Sequence, residues 1–365
     1  MGTLLQERGL KPGETPEDWN VERPDDIAAI HRAYVKAGAE VIYANTFGAN
    51  RLKYHGKHDL EKVIKAGLEI AAKAKVRGEG EQRNVKIALD LGPTGKLLKP
   101  AGDLDFDDAV AAFAETIRVA LGSNKVGAKS PEGLIVPKDS KDAIFPDLIV
   151  IETMSDVREL KAAVIAAKEA CDLPIYATVA LGADGKLLTG GSVECVAALL
   201  ESLGVDAYGF NCGLGPDRML PFVERLAKVS TKPIIVKPNA GLPKVEDGRT
   251  VFSVGPDEFA GHVAKLVQAG ASIVGGCCGT TPAHIARVRE EGRGKREEAF
   301  LPSSSLIPHP SSLIPHPSSL VSSGTTVVEL KPHAGLIIGE RINPTGKKLL
   351  KEAYAKGDTA YVLRE

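Results

Sequence analysis

Two short glycine-flanked segments hold three of the chain's five cysteines. They are GFNCG at residues 209–213 and GGCCG at residues 275–279, and each follows a run of β-forming residues. Thiolate sulfur selects zinc among the common divalent metals, and three protein ligands leave the fourth tetrahedral position to water or a substrate. The pattern therefore predicts that Cys212, Cys277 and Cys278 form an open zinc site, which is the arrangement of a catalytic metal.

Other interpretations of the cysteines have to be weighed. A free cysteine is usually a small core hydrophobe, and Cys171 and Cys195 fit that description because both adjoin apolar helical stretches. The other three have glycine neighbours that leave little to pack. A disulfide is the remaining alternative, but adjacent cysteines join only through a strained ring. The low cysteine content and the lack of a signal peptide indicate a cytosolic chain with reduced thiols.

Composition limits the partners. The chain has 365 residues, 43% hydrophobic content and a formal net charge of -1, so it can bury a large core. No basic stripe is present for nucleic acid or an anionic membrane, and no apolar run approaches the roughly 18 residues needed to span a bilayer. We expect a cytoplasmic protein with neither nucleic acid nor membrane as partner.

Short β-rich runs alternate with longer alanine-rich amphipathic stretches. Seven runs lie at residues 41–45, 86–90, 148–152, 174–178, 207–211, 233–237 and 272–275. This alternation predicts βα units around a parallel sheet, and a closed barrel needs an eighth strand. Polar or reactive residues cluster where the runs end. In a (β/α)₈ barrel these ends form the active-site rim, so Cys212 can share one metal with the distant Cys277 and Cys278.

Four of these rim segments resemble the successive motifs of the homocysteine S-methyltransferase family. They are NTFGAN (residues 45–50), ET (152–153), NCG (211–213) and GGCCGTTP (275–282), and the resemblance spans about residues 1 to 290. It implies a (β/α)₈ TIM barrel that holds Zn²⁺ through Cys212, Cys277 and Cys278. The sulfur of the substrate homocysteine would then be the fourth ligand.

The resemblance also implies roles for other rim residues. Asn239 is similar to the residue that can occupy the open metal position before substrate binds. Gly2 and Thr3 resemble the tail of the family's first-strand motif, whose backbone would hold the substrate carboxylate. Glu152 resembles the acid that meets the substrate ammonium, and the alternative for Glu152 is an ordinary strand-end carboxylate in a salt bridge.

Zinc coordination accounts for the expected chemistry. A free thiol has a pKa near 8.5, whereas a coordinating thiol is deprotonated by the metal. Three cysteine thiolates already offset the charge of the metal, so a fourth sulfur should keep enough electron density to attack. The hypothesis is an in-line attack of homocysteine sulfur on an activated methyl carbon, with no covalent intermediate on the protein.

One departure from the family pattern concerns the N-terminus. The first strand and the acidic residue before Met-Gly-Thr are missing, because the chain begins at Met1. Either the start lies upstream or the barrel closes badly. We expect exposed strand edges, a substrate site that lacks one polar wall, and lower stability than that of a complete barrel.

The composition changes after the predicted barrel, residues 1–295. The heptapeptide SSLIPHP occurs at 304–310 and again at 311–317, which predicts a disordered Ser/Pro-rich linker over residues 296–330. His309 and His316 invite a metal-site interpretation, but nothing nearby completes such a site.

Residues 331–365 predict the truncated start of a second TIM barrel. The stretch GLIIGERINPTG (335–346) resembles the opening of a pterin-binding domain, in which Asn343 would hydrogen bond the pterin. A homocysteine barrel followed by a pterin barrel is the order in cobalamin-dependent methionine synthases. The resemblance implies methyl transfer from methylcobalamin, ultimately from methyltetrahydrofolate, with a corrinoid-binding domain or protein as partner. The alternatives are a stand-alone methyltransferase that uses betaine or S-methylmethionine, and a non-catalytic module with structural zinc.

Overall fold

The computed structural model describes residues 1–75, 85–122, 144–246, 249–298, 320–322, 325, 327–329 and 356. The chain divides into two compact units, Met1–Glu329 and Leu330–Glu365. Asn343, the rest of the predicted pterin-binding fragment apart from Lys356, and both SSLIPHP repeats lie outside the described residues.

Eleven strands are described, and the seven that form the main sheet follow the predicted runs closely. The eleven are β1 (Val41–Tyr43), β2 (Lys86–Leu91), β3 (Leu148–Met154), β4 (Ile175–Val179), β5 (Ala207–Asn211), β6 (Ile234–Lys237), β7 (Lys244–Glu246), β8 (Arg249–Val251), β9 (Ala271–Val274), β10 (Leu320–Ser322) and β11 (Val327–Glu329). Seven of them form one sheet in the order β1-β2-β3-β4-β5-β6-β9, and every neighbouring pair is parallel. All seven predicted strands are confirmed.

Helices connect the strands. They are α1 (Gly2–Glu7), α2 (Trp19–Glu22), α3 (Pro24–Ala37), α4 (Leu60–Ala74), α5 (Phe106–Ala120), α6 (Val157–Ala170), α7 (Val193–Leu203), α8 (Pro216–Ala227), α9 (Pro256–Gln268) and α10 (Pro282–Glu298), with a 3₁₀ turn at Pro16–Asp18. Local sequence sets several ends: the side chains of Asp59, Asp156 and Ser192 accept hydrogen bonds from the first turns of α4, α6 and α7. Left-handed Gly38 and Gly204 end α3 and α7.

The core lies between the sheet and its helices. One large cluster joins residues of the strands, such as Ile149 and Phe210, to helix residues such as Ile64, Phe113 and Leu160, all of them fully buried. Cys171 and Cys195 are buried as predicted. The sheet curls with helices outside it, and this confirms a TIM-barrel-like fold.

The gap in the barrel lies between β1 and β9. Within the described residues no strand pairs with the free edges of β1 and β9, so the eighth strand that a closed barrel needs is not among them. The helices on either side of the gap still meet, since the Tyr34 hydroxyl of α3 donates to the carbonyl of Thr280 just before α10 at 3.0 Å. The helical layer is therefore continuous where the sheet is open.

The N-terminal residues form a helix instead of the tail of a strand. Gly2 is the first residue of α1, and Leu5 is completely buried against Trp19, Ile27 and Ile30. Burial of Leu5 in this small apolar cluster stabilises the helical conformation of the segment. The predicted backbone cradle of Gly2 and Thr3 is consequently helical.

Two hairpins were not foreseen. The antiparallel pair β7 and β8 follows the rim segment 238–241, and β10 pairs with β11 inside the segment predicted as a disordered linker. Within the segment predicted as a linker, residues 320–322 and 327–329 form strands, where Val321, Val327 and Val328 favour strand pairing. None of the described helices is both long and apolar enough to cross a bilayer.

Candidate metal centre

Three thiols converge on the carboxyl rim of the sheet. Cys212 follows β5 directly, and Cys277 and Cys278 lie in the loop after β9, with only β6 between the two strands. The three sulfur atoms all lie within 4.8 Å of one another, and the Sγ atoms of Cys212 and Cys278 are 3.8 Å apart. The structure thus brings together the three predicted metal ligands.

The spacing of the sulfurs fits zinc. Bonds of about 2.3 Å in a tetrahedral thiolate site place the sulfurs about 3.8 Å from one another. The Cys212–Cys278 separation of 3.8 Å matches that value. Cys278 is exposed and the other two are partly exposed, so a ligand from solvent can reach the cluster.

Cys212 adopts a strained backbone conformation. Its φ of 58° lies in the left-handed region, and Gly213 follows with a φ of 70°. The turn is held by hydrogen bonds from Cys212 N to the Lys237 carbonyl at 3.1 Å and from Leu214 N to the Cys212 carbonyl at 2.7 Å. A non-glycine residue in this region costs energy and persists where the surroundings impose it, typically at functional sites. Here the turn aims the Cys212 sulfur at the loop after β9.

The loop after β6 fixes the other two cysteines. Cys277 N donates to the carbonyl of Pro238 at 2.9 Å, and Ala240 N donates to the carbonyl of Cys278 at 2.9 Å. The Asn239 Oδ1 accepts from Cys278 N at 3.1 Å. Asn239 therefore lies beside the cluster, but its amide oxygen is bound to the backbone in this arrangement.

The three thiols share protons unequally. Hydrogen bonds from Cys277 and Cys278, with help from the Gly213 N–H and the Asn239 side chain, lower the pKa of Cys212 to about 3. Donating to Cys212 in turn raises the pKa of both Cys277 and Cys278. Cys212 is therefore the thiol of the three that ionises most readily, and a divalent cation bound by the three sulfurs would displace the protons of the other two.

Asn211 is a buried residue of the site that the sequence analysis left without a role. It ends β5, is completely buried, and its Nδ2 donates to the sulfur of Cys277 at 3.7 Å. Its position directly before Cys212 in the NCG motif is the only sequence signal that could have drawn attention to it.

A second buried polar group lies inside the sheet. Glu152 is ion-paired with Lys237, and the Lys237 ammonium also donates to the Tyr43 hydroxyl at 2.9 Å. Burial opposes the charged form of Lys237, yet the charge of Glu152 and the contact with Tyr43 outweigh it and raise the lysine pKa. Burial raises the pKa of Tyr43 to about 12. Glu152 is thus in the salt bridge that was the alternative interpretation of this residue.

Asp90 adds a second carboxyl group to this set. It is buried, and its Oδ1 atom has no hydrogen-bond partner in the described structure. Burial first, and the charge of Glu152 second, raise the pKa of Asp90 well above its usual range. Asp90 ends the predicted run 86–90, where polar rim residues were expected, whereas Lys237 was not recognised as the partner of Glu152.

The N-terminal helix reaches the rim as well. Gly279 N, directly after the two cysteines, donates to the Thr3 Oγ1 at 3.3 Å. The side chain of Thr3 therefore contacts the cysteine loop, whereas the prediction was that the backbone of Thr3 holds the substrate carboxylate.

The fold and the rim cluster define a class: an α/β protein with a barrel-like parallel sheet and a three-cysteine site that fits zinc. The chain belongs to the homocysteine S-methyltransferase family, whose pattern it matches over residues 1–291. It is accordingly a methyltransferase domain of the kind that acts on homocysteine.

Known relatives extend this result. The methionine synthase of Mycobacterium tuberculosis is 32% identical over 380 residues, which cover 98% of this chain and 28% of that protein. The methionine synthase of Mycobacterium leprae is 31% identical over 385 residues, with the same coverage. This chain therefore spans less than a third of the length of these two relatives.

Solved structures support the fold. The homocysteine methyltransferase MmuM of Escherichia coli in its metallated form has a TM-score of 0.61 at 21% identity, over 80% of this chain and 93% of that one. Its oxidized form has a TM-score of 0.64 at the same identity and coverage. At this level of identity the similarity demonstrates a shared fold.

Proposed function

We propose that this chain is the homocysteine-activating module of a zinc-dependent methionine synthase. It would bind homocysteine and present the sulfur for methylation to methionine. The observation that carries the proposal is the convergence of Cys212, Cys277 and Cys278 at tetrahedral zinc spacing on an accessible rim.

The proposed metal ligands are the three cysteine sulfurs. Zinc bound there would supply a homocysteine thiolate at neutral pH. The chain's own groups hold the ligands in place: backbone hydrogen bonds from Cys212, Cys277 and Ala240 join both cysteine loops to the segment 237–240. A site held this firmly needs little rearrangement when the substrate arrives.

Substrate recognition is proposed for the buried polar set inside the sheet. Two carboxyl groups, Asp90 and Glu152, lie with the cation Lys237 in this set. A positive charge brought beside them would favour the ionised form of Asp90. The α-ammonium of homocysteine supplies such a charge, with Glu152 as its predicted partner. Asn239, whose amide oxygen now accepts from Cys278 N, could turn to the metal when no substrate is present. Gly2 and Thr3 remain candidates for the carboxylate.

The proposed methyl donor is methylcobalamin, recharged from methyltetrahydrofolate. Support comes from the methionine synthase relatives, of which this chain covers 28%, so that the corrinoid-binding and pterin-binding parts would belong to the remainder. Asn343 is the proposed pterin contact in the start of the second barrel. A corrinoid-binding domain or protein is accordingly the proposed partner, and the cytoplasm the proposed location.

Zinc-edge X-ray absorption on the purified chain, with and without homocysteine, tests the metal and substrate parts. We expect three sulfurs and one light atom to become four sulfurs when homocysteine is added. A spectrum that does not change when homocysteine is added, or that already shows four sulfurs before the addition, would indicate structural zinc and contradict the catalytic proposal.

A donor comparison separates the two enzymatic alternatives. The chain is incubated with homocysteine and one of three methyl donors, methylcobalamin, S-methylmethionine or betaine, and the methionine formed is quantified. Methionine formation with methylcobalamin, but with neither of the other two donors, supports the synthase proposal. Methionine from S-methylmethionine or betaine with no cobalamin would instead identify a stand-alone methyltransferase.

A further inference from the structure

Asn211 uses all of its hydrogen-bonding capacity inside the site. Its Oδ1 accepts from Thr153 N at 2.8 Å and from the Thr178 hydroxyl at 2.8 Å. Its Nδ2 donates to the Thr153 Oγ1 at 2.7 Å and to the Cys277 Sγ at 3.7 Å. An amide has two acceptor sites and two N–H donors, so no capacity is left over.

These contacts fix the direction of the amide. A backbone N–H can only donate, so the atom of Asn211 that faces Thr153 N must be the oxygen. The NH₂ group is consequently forced toward the Cys277 sulfur and cannot exchange places with the oxygen. Full burial of Asn211 keeps water from competing for either end.

The backbone around Asn211 is strained in a manner that fits this arrangement. Thr153 and Cys212 are the non-glycine residues with positive φ in the described chain, at 61° and 58°. Thr153 is β-branched, which makes that conformation unusual. Thr153 bonds Asn211 through both its N–H and its hydroxyl, and Cys212 follows Asn211 directly. The two strained residues therefore flank one amide, and strain of this kind collects at functional sites.

We propose that Asn211 is a positioning residue that donates an N–H···S hydrogen bond to the Cys277 thiolate and thereby sets the charge this sulfur gives to the metal. The inference rests on the proposed metal site. A hydrogen bond to an anionic acceptor is stronger than one to a neutral thiol, so the donor stabilises the ligating form of Cys277. Groups that bond to metal ligands in this way tune both affinity and reactivity.

The substitution Asn211→Asp tests the donor with little change in shape. An aspartate still accepts from Thr153 N and from the Thr178 hydroxyl, and the Thr153 hydroxyl can turn to donate to its second oxygen. That oxygen faces Cys277 and repels its thiolate. We expect the zinc dissociation constant, measured by competition with a chelator, to rise about 10- to 100-fold. With Co²⁺ in the site, we expect the sulfur-to-metal charge-transfer band to shift while the number of sulfur ligands stays the same.

Thr178→Val is the matched control. It removes one bond to the Asn211 oxygen and leaves the N–H that faces Cys277 in place. We expect the zinc affinity and the Co²⁺ band of this variant to equal those of the unchanged protein. If Thr178→Val weakens zinc as much as Asn211→Asp does, general disturbance of the site explains both and the inference is overturned.

A measurement on the unchanged protein guards against a variant that does not fold. With ¹¹³Cd in the site, the Asn211 side-chain protons should show a scalar coupling to the metal across the N–H···S bond. Absence of that coupling in a cadmium-loaded chain overturns the inference. A chain that binds neither zinc nor cadmium would instead refute the metal site itself, so the two failures are distinguishable.

Discussion

The sulfurs of Cys212 and Cys278 lie 3.8 Å apart although 66 positions separate the residues in the chain. Cys277 completes the set, and the backbone of the segment 237–240 bonds to both cysteine loops. Three ionised thiols at this spacing would repel one another strongly, because like charges disfavour each other's ionised form. A divalent cation bound by all three sulfurs would remove that repulsion.

Cys278→Ala should abolish stoichiometric zinc binding. Two thiolates remain, and the alanine cannot supply a third ligand at the exposed side of the site. Zinc content after dialysis is the measurement. Cys171→Ala is the control, since Cys171 is buried at the C-terminal end of α6 and does not belong to the cluster, and it should retain zinc. Unchanged zinc and unchanged methyl transfer in Cys278→Ala would refute the proposed centre.

Glu152→Gln should raise the KM for homocysteine and leave the zinc content as it is. The glutamine loses the charge that the substrate ammonium would meet, and hydrogen bonds to charged groups contribute about 1.5–3 kcal/mol, which is about 10- to 100-fold in KM. Steady-state kinetics over a homocysteine series measures the effect. Glu61→Gln, at the exposed first turn of α4, is the control. An unaltered KM would assign Glu152 to the salt bridge alone.

Lys237→Met should destabilise the fold by about 3–5 kcal/mol, because it leaves the largely buried Glu152 without its partner. The double variant Glu152→Gln/Lys237→Met should lose less than the sum of the two single losses. Urea unfolding of all four proteins completes the cycle. Strict additivity of the two losses would show that the pair does not interact.

Gly209→Ala should destabilise the sheet by about 1–3 kcal/mol. A Cβ on Gly209 would lie 2.0 Å from the carbonyl oxygen of Ile235, which is backbone of β6 and cannot swing away. Gly261→Ala on α9 is the matched control, since nothing lies within 4 Å of its Cβ position, and it should stabilise by about 0.5–1 kcal/mol. Denaturation midpoints should therefore move in opposite directions, and a rise for Gly209→Ala would contradict this account.

Stability should fall as the pH drops from about 6.5 toward 4. Burial, with the N-terminal ammonium, lowers the pKa of His31 to about 4 from its ordinary 6.5, and its Nε2 has no hydrogen-bond partner in the described structure. The unfolded chain then binds the proton more readily, so the neutral form stabilises the fold fully above pH 6.5 and this contribution of about 3 kcal/mol is lost on acidification. His31→Leu should flatten the urea midpoint between pH 6.5 and 4, whereas the exposed His55→Leu should keep the slope. Parallel profiles for His31→Leu and the unchanged protein would rule His31 out as the cause.

The strands could be predicted because their apolar runs are short, β-branched and separated by helical stretches. The cysteine cluster could be predicted because a parallel barrel collects strand ends at one rim, whatever the distance along the chain. The helix α1 could not be predicted, because the burial of Leu5 against Trp19 and Ile27 depends on where the first helices pack. The hairpin of β10 and β11 was missed because the prolines and serines before it dominate the local composition.

The sequence by itself determined the parallel α/β architecture, its seven strands and the three cysteines that could hold a metal, because these follow from periodicity and residue type. Only the tertiary structure decided which partners the polar rim residues take. The salt bridge of Glu152 with Lys237 joins two strands, and the hydrogen bond from Asn211 to Cys277 joins a strand to the loop after another strand. Such contacts are set by sheet register and side-chain direction across the barrel interior, and no local pattern in the sequence encodes them.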